Sequence, residues 1–397
     1  MICDRCVYIP SLKKFVVEVG GFAICNYCGE SGSTCDEETL ISYVRDRFVD
    51  SYSPVDNLSS YDYYMCMESG ADEPRAVEFW EPLSDTYELA HPEFIEVLLE
   101  ALSPEFGSEN FYLDDGSYQN NSFEVSWADF EWGVLHNQRF FNSSAKNFLN
   151  SLFDFSCNND VLMPEVLLRI TSSEHLYRAR KADGSKTLKD IEENPISELG
   201  PTPSSLASNQ RMTPRGIAAM YCARDRQTCL SELRPLAGDI MVSGAFTPIA
   251  HMDFLDLTKL ESMSKPSLHP FDPGFTTANN AHHFLKKLVT KMSKPNIKKD
   301  ELAYLATQVV FEYLRGRFGS QVAGLAFPSV QTGLIGQNVV IFPENCVIET
   351  ELHAGSHNKI PTLKFVESSI KVHAIKAVTT ISEDFHGTMD YRVSFNL

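Results

Sequence analysis

Four cysteines near the N-terminus constrain this chain more than any other feature. They follow the pattern Cys3-x2-Cys6-x18-Cys25-x2-Cys28. Each Cys-x2-Cys pair sits on a tight turn, so two thiolates aim at one centre. Two such pairs complete a tetrahedral shell. The spacing predicts a structural Zn2+ held by Cys3, Cys6, Cys25 and Cys28. Four thiolates leave no open position, so a catalytic metal is not expected. Between the pairs, Phe15 to Ile24 reads as two short strands joined at Gly20-Gly21. Residues 1–35 are therefore expected to form a zinc-ribbon-like module. Cys35 is the one nearby thiol able to replace a ligand.

The 397 residues leave room for two or three domains. Charge divides them unevenly. Residues 1–160 hold 29 Asp and Glu against 8 Lys and Arg, a net of −21, whereas residues 161–397 hold 24 against 26, a net of +2. An acidic half repels phosphate backbones, so nucleic-acid binding is not expected. Its plainest role is a solvated surface. No run approaches the ~18 apolar residues of a membrane helix. No basic stretch followed by an apolar one marks a secretory signal, so a cytoplasmic location is expected. The other cysteines (Cys35, Cys66, Cys157, Cys222, Cys229 and Cys346) are scattered and read as reduced thiols.

Residues 36–160 read as an acidic, mainly helical domain. Glu37 to Phe48 has helical apolar spacing, and Pro92 to Leu102 is amphipathic with Pro in the first turn. Asp50 to Asp72 is polar, aromatic and turn-rich. Phe123 to Phe155 reads as a packed helical pair. From about residue 165 to 397 strands and helices alternate, which predicts an α+β domain. Strands are expected at Ala218–Ala223, Ile240–Ile249, Ala323–Phe327 and Val339–Phe342, with helices at Asn280–Met292 and Glu301–Phe318. The alternating run Ser369 to Ile381 reads as a closing strand. Residues 181–209 are too rich in Gly, Pro and Ser for one regular element. A lid, a binding loop or a plain surface insertion would all fit them.

One stretch carries chemistry: Arg211-Met-Thr-Pro-Arg215-Gly, then Tyr221, then Glu232. A distant element completes it, Gly324-Leu-Ala-Phe-Pro328-Ser329-Val, followed by the apolar run Val339 to Phe342. Together these resemble the RES family, over roughly residues 176–345. The resemblance implies an ADP-ribosyltransferase-like RES domain, preceded here by the zinc ribbon and the helical domain, and it implies NAD+ as substrate. The helical region resembles the N-terminal domain of some RES proteins, grouped with HEPN domains. An HEPN ribonuclease carries an Arg followed on the same helix by a His. Here His136 precedes Arg139, so ribonuclease activity is not expected.

Cleaving NAD+ breaks the bond between the nicotinamide ribose and a cationic nitrogen. The leaving group departs neutral and needs no general acid. Ordinary glycosidases use two carboxylates; one suffices here. By this reading Glu232 accepts a hydrogen bond from a ribose hydroxyl and offsets charge on the oxocarbenium-like ring. Its helix, Gln227 to Leu233, would turn Leu230 and Leu233 inward. Arg211 and Arg178 are the candidate pyrophosphate forks, a task lysine performs less well. Arg178 lies in Leu176-Tyr177-Arg-Ala-Arg180, which resembles the family's first element. Tyr177 and Arg180 share that strand, and Arg180 is as eligible as Arg178. Arg215 is the weaker partner to Arg211. Tyr221 could stack on nicotinamide, and Ser329 could hold a phosphate or ribose oxygen. His251 and the pair His282-His283 read as non-catalytic.

The expected activity is an NAD+ glycohydrolase of a toxin or anti-phage defence kind. Phosphate or a protein side chain in place of water would make it a phosphorylase or an ADP-ribosyltransferase. A non-catalytic NAD+ or ADP-ribose sensor is the alternative. The resemblance also implies an antitoxin or defence-system partner protein, and a homo-oligomer fits as well.

Overall fold

The computed structural model describes residues 1–59, 76–117, 121–293, 302–350 and 360–378. Cys66, most of the Asp50–Asp72 stretch and the end of the Ser369–Ile381 run lie outside the described residues. The chain divides into two compact units. One holds Met1–Ala128 and Ser264–Phe284, the other Asp129–Met263 and Leu285–Leu397. Among the described residues no helix is long and apolar enough to cross a membrane.

The first unit opens with the cysteine module, whose three short strands lie in the order Ile2–Cys3, Ser31–Cys35, Gly21–Ile24. One expectation fails here. Phe15 to Val19 belong to a helix, Pro10–Val19, and only Gly21–Ile24 is strand. Proline at the first position and the buried i, i+4 pair Leu12 and Val16 favour the helix. The expected helices follow at Glu37–Ser51 and Pro92–Phe106. Asp36 caps the first, accepting from the Thr39 N–H at 2.9 Å. Leu40, Val44, Phe48, Phe94, Leu98 and Leu102 pack into one core.

Residues 264–284 return to this unit from far along the chain. Phe271 is fully buried in the same core. The Ser51 hydroxyl donates to the Pro270 carbonyl at 2.5 Å, and the Asn121 amide to that of Asn280 at 2.9 Å.

The second unit is built on an eight-stranded sheet. Its order is Leu363–Ala374, Ile240–Pro248, Leu176–Lys181, Met220–Ala223, Gln337–Ile341, Gly324–Pro328, Met252–Asp256, Leu167–Ile170. Neighbours run antiparallel except the pair Met252–Asp256 and Gly324–Pro328. Gly324 permits close approach, since a Cβ there would fall 2.0 Å from the Val340 carbonyl oxygen. Phe246, Phe254, Ile341 and Val339 fill the core. The closing strand begins six residues earlier than the alternation predicts and ends at Ala374. Residues 181–209 hold two short helices, Ser185–Glu193 and Pro195–Leu199.

The Phe123–Phe155 stretch forms helices Ser122–Trp132 and Ser143–Phe153, with the Phe130 and Phe148 rings 5.6 Å apart. Beside them Arg139 donates to the Leu135 carbonyl at 3.3 Å, and His136 lies 5.9 Å from the Trp132 ring.

Candidate active site

Glu232 ends a seven-residue helix, Arg226–Glu232. Asp225 caps it, accepting from the Thr228 N–H at 2.8 Å and the Thr228 hydroxyl at 2.6 Å. Such a cap satisfies an orphan donor and fixes where the helix starts. Cys229 and Leu230 are buried. Glu232 is exposed and lines a cleft of ≈ 330 Å³. Leu233 does not turn inward as expected. It is 41% exposed because the helix has ended and Arg234 adopts a left-handed φ of 48°.

Two donors converge on one oxygen of Glu232. Ser329 Oγ donates to Oε1 at 2.5 Å and Asn338 Nδ2 donates to the same atom at 2.6 Å. Among the described residues Oε2 has no protein partner. Ser329 is fully buried, and its N–H donates to the Gly336 carbonyl at 2.7 Å. Its hydroxyl and N–H, expected to hold a substrate oxygen, are thus both engaged within the protein.

The arginines separate clearly. Arg178 and Arg211 line the cleft, whereas Arg180 and Arg215 are exposed outside it. Arg180 pairs with Glu198. Arg178 donates to the Gly200 carbonyl at 2.6 Å and to Thr202 Oγ1 at 3.3 Å. No carboxylate pairs with it among the described residues, and burial lowers its pKa. A largely buried cation without an anion is costly, and such sites are often functional. Arg211 stands 6.0 Å from the centre of the Tyr304 ring.

Two further tyrosines, Tyr177 and Tyr221, line the cleft beside Tyr304. Tyr177 lies beneath Arg226 at 4.9 Å. The Tyr221 hydroxyl accepts from the Met212 N–H at 3.0 Å and lies 3.3 Å from Thr213 Oγ1. It thereby pins the loop that carries Arg211. Gln308 reinforces that loop through the Gln210 carbonyl at 2.7 Å. Burial pushes the Tyr221 phenol up to about 12, so it stays protonated at neutral pH. In all, Arg178, Arg211 and Arg234 line this cleft together with a single carboxylate, Glu232. The excess of two positive charges matches a dianionic ligand such as a pyrophosphate.

The four N-terminal cysteines cluster elsewhere. Their sulfurs all lie within 4.8 Å of one another. Cys3 and Cys28 are 3.6 Å apart, and Cys6 and Cys25 are 3.8 Å apart. A zinc–sulfur bond of about 2.3 Å implies roughly 3.8 Å between tetrahedral sulfurs, so the set fits zinc. Burial opposes ionisation of Cys25, but N–H groups of Cys28, Tyr27 and Cys3 outweigh it and lower the thiol to about 6. Cys35 is buried and stands outside the group.

Two family models match this chain. One is the RES domain, over residues 175–361; the other is HEPN/RES N-terminal domain 1, over residues 18–148. The chain carries a RES domain. No curated protein and no solved structure matches it. Every residue lining the cleft falls within the RES match.

Sequence reasoning missed several cleft residues of this RES domain, among them Asn338, Tyr304, Gln331 and Arg234. Asn338 left a signal. It is a polar residue opening an apolar strand, 6% exposed, opposite Phe327 in the sheet. Tyr304 left none, since its place depends on a distant loop.

Gly336 also matters to the RES site. A Cβ there would lie 2.1 Å from Thr228 Oγ1 and 2.8 Å from Thr228 Cγ2. Thr228 cannot easily turn away, because Asp225 holds it. Gly336→Ala is expected to displace the Glu232 helix and cost about 1–3 kcal/mol, read as a lower Tm. Adding Thr228→Ala should restore part of the loss, since Thr332 Oγ1 would still lie 2.8 Å from the added Cβ. An unaltered Tm in the single variant would show that the helix has slack.

Proposed function

We propose that this protein hydrolyses NAD+ to nicotinamide and ADP-ribose, and acts as a toxin or defence effector by depleting NAD+. One observation carries the reading: a carboxylate with one oxygen held and the other free, in a cleft whose other charges are arginines. Membership among RES-domain proteins supports it. The C1″–N bond breaks, and its electron pair passes to the pyridinium nitrogen. Neutral nicotinamide leaves. Glu232 Oε2 accepts from a ribose hydroxyl and offsets the cation on the ring. Water attacks C1″ and releases a proton. Arg178 and Arg211 hold the pyrophosphate, and Tyr221 offers a ring face to nicotinamide. The four cysteines hold a structural zinc that takes no part in this chemistry.

The test is nicotinamide release from NAD+ by the folded, zinc-loaded protein. An inert wild type overturns the proposal. Mass spectrometry with and without phosphate identifies the acceptor. Arg178→Lys should weaken ADP-ribose binding by about 10-fold or more, because an ammonium cannot make the paired contact. Unchanged affinity by calorimetry would remove Arg178 from the site.

A further inference from the structure

Glu232 sits on the last turn of a short helix and is exposed, a setting in which a flexible side chain samples several rotamers. Yet Oε1 receives two donors from two directions. Ser329 follows the strand Gly324–Pro328, and Asn338 lies on the neighbouring strand Gln337–Ile341. Phe327 and Asn338 are direct partners across that ladder. The sheet register therefore fixes the spacing between the two donors. Both are buried and the carboxylate they hold is not.

We propose that Asn338 is a positioning residue. With Ser329 it clamps Oε1, so that Oε2 alone is presented to the ribose. This rests on the hydrolase reading for its catalytic consequence, but not for its geometry. Two donors on one oxygen remove rotation about the last bond of the side chain. They also polarise the carboxylate toward the held atom. Neither donor contacts the substrate in this scheme. An amide is suited to the task because it donates at every accessible pH. A carboxylate of the same shape at this position would have no proton to give at neutral pH and would repel Glu232.

That difference defines the experiment. Full-length wild type, Asn338→Ala and Asn338→Asp are compared for NAD+ turnover, for ADP-ribose affinity and by crystallography. Asn338→Ala should lower kcat by about 10–100-fold, the scale of a misplacement near 1 Å, with KM within threefold. Asn338→Asp, the closest isostere, should be worse than Asn338→Ala. A residue that merely filled space would show the reverse order. In both crystal structures the Glu232 carboxylate should leave its wild-type position. A carboxylate that stays in place overturns the proposal, as does a variant that loses affinity while keeping kcat. If wild type fails to turn over NAD+, the hydrolase reading falls, and the position of the Glu232 carboxylate still decides the role of Asn338.

Discussion

Glu232→Gln is expected to lower NAD+ cleavage by about 10³-fold with little change in Tm. The glutamine amide matches the carboxylate in size, and its oxygen can still accept from Ser329 and Asn338. What disappears is the negative charge, together with the free acceptor at Oε2. In its place an amino group would face the ribose hydroxyl. Affinity for ADP-ribose should change little, because in the proposed reading the pyrophosphate is held by Arg178 and Arg211, not by Glu232. Expressed in cells, wild type should lower NAD+ and arrest growth, and the variant should do neither. Turnover within tenfold of wild type would remove Glu232 from the chemistry.

Removing metal from the four-cysteine module should have a comparably large effect on structure. Its three strands are only two, four and five residues long. Sheets that small do not hold together unaided. A structural zinc contributes on the order of 10 kcal/mol to such modules. A chelator, or Cys6→Ser, should therefore expose residues 1–35 to rapid hydrogen exchange and lower the first transition in a thermal scan. Elemental analysis should find one zinc per chain. A protein that carries no metal and keeps its protection pattern under chelation would refute the assignment.

Parts of this protein were legible in the sequence for identifiable reasons. The cysteine spacing located the sulfur cluster because covalent turns set ligand geometry locally. Helices such as Pro92–Phe106 were legible because their apolar period is local as well. The Phe15–Val19 segment was misread because valines next to glycines resemble a strand, while the buried pair that decides for helix spans Leu12 and Val16. The motif singled out Glu232, which lines the cleft. The bond from Ser329 to Glu232 was not legible, because its hydroxyl reaches a partner 97 positions away in the chain. Arg178 and Arg180 were equivalent in sequence. Tertiary context separated them, giving one the cleft and the other an ion pair with Glu198.

The return of residues 264–284 to the first unit has a practical consequence for dissection and for recombination. A gene cut near residue 165 would express a fragment that still carries Phe271 and its neighbours, stripped of the core that buries them. Such a fragment would present sticky apolar surface, and its behaviour would report on that lesion as much as on catalysis. The two units are interleaved along the gene, not strung end to end. Swapping one for a homologous unit requires exchanging two separate segments of the same chain, because each unit is interrupted once. The contribution of the cleft is therefore better isolated with point variants in it than with truncations.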